Sequence, residues 1–183
     1  MLVKLGTATG NEPDDLVGLL LACHGRIRRF SELARTLGTR SDLPDVEVIS
    51  ACELVIRYFT VALPLHVADE EQSVLPRLLR CAPSVGPVLE QMEAQHAEHD
   101  AQIAALLRAL RGLAGEPQDP ARRAEVASAA DVLSKAYAEH LVMEEAILFP
   151  TLRRMVPLEE QERMRDELRA RRAPPPAQSP EPA

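Results

Sequence analysis

The segment H-V-A-D-E-E-Q-S-V-L-P, which starts at His66, returns 74 residues later as H-L-V-M-E-E-A-I-L-F-P, starting at His140. Both copies fit HxxxEExx[VL][LF]P. Residues i and i+4 are neighbours on one helix face. His66 and Glu70 can therefore present a nitrogen and a carboxylate to a common point, as can His140 and Glu144. The second glutamates, Glu71 and Glu145, are rotated by about 100° on their own helices, and two roles stand open for them: solvated, or supporting a donor from behind. A chain that places ionisable pairs on two helix faces rich in leucine and valine must meet that charge with something inside the fold.

The rest of the chain reads as helices joined by short turns. Asp14 and Asp15 open a first helix, with Leu16, Leu20, Ile27, Phe30 and Leu37 at helical spacing and Gly38 closing it. A second helix opens at Asp45 after Pro44 and runs toward Pro76, with a kink or local break expected at Pro64, just before His66. Pro87 opens a third helix that runs to about Leu113. Asp119–Pro120 opens a fourth that runs to Pro150 or slightly beyond. Pro157 opens a shorter fifth helix, acidic first and arginine-rich last, which suits the helix dipole; it reads as a solvated amphipathic helix, with docking on the bundle or on a partner as the alternative. The expected organisation is a flexible leader at 1–12, a bundle at 13–155, a C-terminal helix at 156–172 and a disordered Pro-rich tail at 173–183. Aromatic residues make up 3% and tryptophan is absent, so Leu, Val, Ile and Ala must build the core, which disfavours a sheet. The fold class is all-α: an up-down-up-down four-helix bundle with one additional short helix.

The first and third helices each bring histidine as well. His24 lies 42 residues before His66; His96 and His99 lie 44 and 41 residues before His140. All five histidines of the chain fall into this duplicated-hairpin pattern. Burying two carboxylates without compensation costs several kcal/mol each, of order, and a cation removes that cost. Six or seven donors exceed the four of a structural zinc site. They suit two ions bridged by carboxylates, and mixed imidazole and carboxylate donors admit iron, manganese or zinc. His96 and His99 can both face the core; His96 is the preferred donor, with His99 and Tyr137 as additional ligands or supporting groups.

The ordered pattern His24, His66-x3-Glu70, His96 (or His99), His140-x3-Glu144 resembles the hemerythrin-like, or HHE cation-binding, family over about residues 14–152. The trailing E-E-x-x-L-F-P is particularly similar. The resemblance implies a four-helix bundle holding a non-haem di-iron centre, two iron ions (Fe2+/Fe3+) bridged by carboxylates and an oxo or hydroxo group. The oxygen-carrying members place two histidines at i,i+4 on the third helix and end the last motif with aspartate. Here the third-helix pair, in Q-H-A-E-H-D, is at i,i+3 and the last donor is Glu144, closer to the bacterial H-HxxxE-H-HxxxE type.

Six protein donors leave more open coordination positions than seven, and open positions are where oxygen, nitric oxide or peroxide bind. The expected function is binding of such a small diatomic or peroxide ligand for sensing, scavenging or redox protection. A di-iron enzyme of peroxidase or nitric oxide reductase type, and a structural bundle with a zinc or vestigial site, stand as alternatives. The net charge of −7 argues against nucleic acid and against an anionic membrane surface. No apolar stretch approaches the ~20 residues of a membrane span, and the first residues lack a signal-peptide apolar block, so a cytoplasmic protein is expected. Cys23, Cys52 and Cys81 form no CxxC motif and read as small apolar residues. The sequence points to no protein partner.

Overall fold

The computed structural model describes residues 14–173; the leader at 1–12, and all of the expected tail but Ala173, lie outside the described residues. Among the described residues there are helices and no strands. Helix α1 is Leu16–Thr39, α2 is Asp45–Cys81 and α3 is Gly86–Gly115. Helix α4 runs continuously through Pro120–Met143, Glu144–Leu148 and Phe149–Met155, and α5 is Leu158–Arg172. The starts follow local chemistry. Asp15 caps α1 through the N–H of Gly18. Asp119 caps α4 by accepting from Ala121 N–H at 2.8 Å. Pro87 occupies the first turn of α3, where the missing N–H costs nothing.

Helices α1 to α4 form the antiparallel bundle, α1 and α3 each lying against α2 and α4. At one end the chain packs very closely. A Cβ on Gly38 of α1 would lie 2.4 Å from the backbone nitrogen of Ala127 on α4, so glycine is required there for space alone. Beside it, buried Arg123 donates to the carbonyls of Leu37, Arg40 and Pro117. This cation ties together chain ends whose carbonyls lack helical partners.

The prolines do not break α2 or α4. A mid-helix proline has no N–H to give, and its ring collides with the carbonyl four residues back. Each of Pro64, Pro76 and Pro150 is instead preceded by one wide π turn, Tyr58–Ala62, Glu70–Val74 and Glu144–Leu148. In each, the residue just before proline donates to the carbonyl five back: Leu63 to Tyr58, Leu75 to Glu70, Phe149 to Glu144. The wider turn makes room for the ring. The expected kink at Pro64 is therefore absorbed, and α2 continues past Pro76 to Cys81. The expectation that no stretch is long and apolar enough for a membrane span is corrected on length and composition alone: an 18-residue window of α2 reaches a mean hydropathy of 1.6. In this fold α2 is a wall of the bundle, and it buries Val48, Cys52, Val55 and Leu63 against the other helices.

The interior holds two apolar clusters. One contains Ile27, Leu37, Val55, Leu63, Leu106, Leu110, Leu133 and Leu141. The other contains Leu16, Leu20, Val74, Leu78, Met92, Leu148 and Leu152. Each fully buried leucine contributes about 2 kcal/mol. Along each of α1 to α4 the gap between the two clusters is filled by histidine or glutamate: His24, His66 with Glu70, His96 with His99, His140 with Glu144.

Helix α5 departs from its expected solvated state. Met164 and Leu168 are buried in the second cluster. Arg171 and Arg172 both pair with Asp69, a carboxylate on α2 with no exposed surface. Ser73 donates to Glu167 at 2.6 Å, and Arg77 pairs with Glu167 and Glu160. The acids and arginines that suit the helix dipole also form a polar seam against α2.

Candidate metal centre

Four helices deliver six donors to the middle of the bundle. His24 comes from α1, His66 and Glu70 from α2, His96 from α3, and His140 and Glu144 from α4, all buried. They fall into two overlapping groups of four. His24, His66, Glu70 and Glu144 form one; Glu70, His96, His140 and Glu144 form the other. Within each group one ligand atom per residue lies within 4.8 Å of all the others. Both glutamates belong to both groups.

The separations are those of donors around a cation. His24 Nε2 lies 2.9 Å from Glu144 Oε2, His140 Nε2 3.0 Å from Glu144 Oε1, and His66 Nε2 3.1 Å from Glu70 Oε1. His96 Nε2 lies 3.5 Å from Glu70 Oε2 and 3.3 Å from His140 Nε2. Two donors at about 2.1 Å from one ion and at right angles to each other are about 3 Å apart. Among the described residues, none of the four carboxylate oxygens of Glu70 and Glu144 has a hydrogen-bond partner, and neither has Nε2 of His24 or His66. Six orphaned buried polar atoms that converge from different helices need a common partner. A cation supplies one.

The protonation states agree with that role. Burial pushes His66 down to about 3, so the imidazole is neutral and its lone pair free for a cation. Burial, with the Glu144 carboxylate beside it, pushes Glu70 well above the usual carboxylate range. Burial also raises Glu144, but the His140 and His24 imidazoles against it outweigh that and hold it low. Two carboxylates in one dry site cannot both ionise unless a positive charge joins them.

Glu71 and Glu145 find their place in this geometry. Glu145 Oε1 meets His24 Nδ1 at 2.7 Å while Glu144 faces Nε2 of the same ring. Glu71 Oε1 meets His96 Nδ1 at 3.0 Å while Glu70 faces Nε2. Each second glutamate thus reaches the histidine of a neighbouring helix. The 100° rotation that takes it away from its own histidine is what aims it there. A carboxylate behind a metal-binding imidazole fixes its tautomer and raises its basicity. Arg28 in turn holds Glu145 at 2.8 Å. The sequence reading missed one partner of this kind, Gln95, whose Oε1 lies 2.9 Å from His140 Nδ1.

His24 and His96 occupy matching positions in the two hairpins, which makes Ile27 the counterpart of His99. His99 joins neither donor group. Its ring packs on Tyr137 at 4.5 Å and on His140 at 5.0 Å, with Tyr137 at 6.2 Å from His140. Burial pushes His99 down to about 4 and raises Tyr137, so the one is neutral and the other keeps its proton. Both lie behind His140.

The hemerythrin HHE cation-binding domain family matches this chain over residues 15–152. A protein of Haemophilus influenzae (strain Rd) described as uncharacterized is 35% identical over 96 residues, which cover 48% of this chain and 51% of that protein. The chain thus spans about half the length of that relative.

Proposed function

This chain belongs to the hemerythrin HHE cation-binding domain family, and on that basis we propose that it is a non-haem di-iron protein. In this reading one iron is held by His24 and His66, the other by His96 and His140, and Glu70 and Glu144 bridge them. The observation that carries it is the pair of overlapping donor groups that share both glutamates. Two histidines and two shared carboxylates give each ion four protein donors. Six-coordinate ions then keep open positions, which a bridging oxo or hydroxo group and a small exogenous ligand take up. Oxygen, nitric oxide or peroxide is that ligand, bound for sensing, scavenging or redox protection.

Iron supplies reversible one-electron redox chemistry and affinity for diatomic ligands when bound. The chain's own residues hold the imidazoles in one tautomer through Glu71, Gln95 and Glu145, and exclude water with the two apolar clusters. Anaerobic reconstitution with Fe2+ followed by oxidation tests the reading. Near-ultraviolet charge-transfer bands are expected, and His140→Ala or Glu144→Ala should abolish them. Protein that takes up zinc but no iron would favour the structural alternative. Mixing reduced protein with nitric oxide or peroxide separates binder from enzyme: a stable adduct supports the proposal, turnover the enzyme reading.

A further inference from the structure

The two hairpins differ at one position that matters. In the second, Gln95 precedes His96 and its amide oxygen reaches Nδ1 of His140. In the first, the matching residue before His24 is Cys23, too short to do the same for His66. Among the described residues, His66 is the one histidine of the two donor groups without a partner at Nδ1. Cys23 and His66 instead both border a cavity of about 420 Å3, within the range of small-molecule sites.

Cys23 and His66 line this cavity together with Arg26, Arg169 and Arg172. The remainder of the lining is Tyr58 and aliphatic side chains of α1, α2 and α5. Among the described residues no carboxylate lines it. Arg26 spends a guanidinium N–H on Cys23 Sγ at 2.9 Å and has no acidic partner among the described residues. Arg172 is held by buried Asp69 and by the Leu168 carbonyl, and its guanidinium also approaches Cys23 Sγ at 3.9 Å, which brings it beside Arg26 at the cysteine. Arg169 faces Asp14 at 3.9 Å, so the charge left to an occupant is that of Arg26, with Arg172 beside it; with the unmet Nδ1 of His66 and an apolar lining in the same cavity, they specify an occupant with an anionic, hydrogen-bond-accepting head and an apolar body.

We infer that this cavity binds a small amphipathic carboxylate, its apolar body among the aliphatic side chains and its carboxylate among Arg26, Arg172 and His66. One carboxylate oxygen takes the place that Gln95 Oε1 holds in the other half and accepts from His66 Nδ1–H. That proton's position rests on the metal reading, because an Nε2 engaged by a cation leaves the ring's proton on Nδ1. The ligand thereby completes the support of His66 and links occupancy of the cavity to the metal centre.

Octanoate is a suitable probe, with octanol as its neutral counterpart. Full-length protein is loaded with iron, its metal content measured, and each sample titrated calorimetrically with both compounds. The same titrations are run on metal-free protein. Octanoate is expected to bind one to one, at least tenfold tighter than octanol. Arg26→Gln is expected to weaken octanoate at least tenfold. Cys23→Gln, which supplies the missing amide oxygen to His66 Nδ1 and so takes the place of the ligand's carboxylate, is expected to weaken octanoate at least tenfold while metal content stays the same. Absence of saturable binding in iron-loaded protein, equal affinities for octanoate and octanol, or wild-type affinity in both variants would overturn the inference. Failure to load iron contradicts the metal reading separately, and octanoate binding by the arginines is then still read from the metal-free titration. Val61→Trp, on the exposed rim, gives a second block if Cys23→Gln fails to fold.

Discussion

Removing the Glu145 carboxylate tests whether the second glutamates support the donors from behind. Glu145→Ala deletes the 2.7 Å contact to His24 Nδ1 and frees Arg28 without touching a donor atom. Loss of such a supporting group lowers metal affinity by about 10–100-fold, which is about 1.4–2.7 kcal/mol. Glu71→Ala is the matched perturbation on the other half. The Glu71 contact is longer, at 3.0 Å, and its side chain is 45% exposed against 30% for Glu145. Water competes better at Glu71, so its loss is expected at the lower end and that of Glu145 at the upper. Anaerobic competition of Fe2+ against a chelator measures both, with exposed Glu139→Ala as control and circular dichroism to confirm folding. Stoichiometry should stay at the wild-type value in all three. An affinity of Glu145→Ala within twofold of wild type, or a larger loss from Glu71→Ala, would refute the reasoning.

Three further outcomes follow from the packing. Arg171→Gln with Arg172→Gln leaves Asp69 buried without a partner; loss of a buried partner costs about 3–5 kcal/mol, here discounted to about 2–3 because both arginines are partly exposed. Asp69→Asn in the same background should restore most of the denaturation midpoint, and no restoration would mean the pair is not what α5 depends on. Gly38→Ala forces a methyl into the Ala127 backbone and is expected to cost about 1–3 kcal/mol as overpacking, read by urea unfolding; a neutral result would mean α1 and α4 separate freely. Acid should loosen α5 before the bundle. Arg77 holds the carboxyls of Glu160 and Glu167 below their ordinary value of 4.5, so their contribution is complete above about pH 4.5 and is lost as pH falls through the lower folded values. Pulsed amide exchange should show α5 losing protection on acidification below 4.5, and loss on raising the pH instead would contradict the seam.

The donor set was legible because it obeys a single-helix rule. A histidine and a glutamate four apart must share a face, and a second copy at fixed distance places that face twice. The family match over residues 15–152 agrees with the resemblance read from those residues. What spacing along one helix cannot express is contact between helices. Glu71 and Glu145 looked misdirected because the only reference available was their own helix, whereas their partners stand on the next. Gln95 has no spacing signal of any kind. Pro64 signals a kink or local break in sequence, since sequence records the missing N–H and not the wide turn that accommodates the ring. The docking of α5 was hidden for a related reason. Its arginines look solvated until Asp69, on a helix some hundred residues earlier, is seen beneath them.

The central claim, two cations held by shared glutamates, is tested most directly by anomalous diffraction at the iron edge from anaerobically reconstituted crystals. Two peaks are expected, about 3.5–4 Å apart, one beside His24 and His66 and the other beside His96 and His140, with Glu70 and Glu144 touching both. A single peak, or peaks that leave either glutamate without a metal contact, would contradict the account.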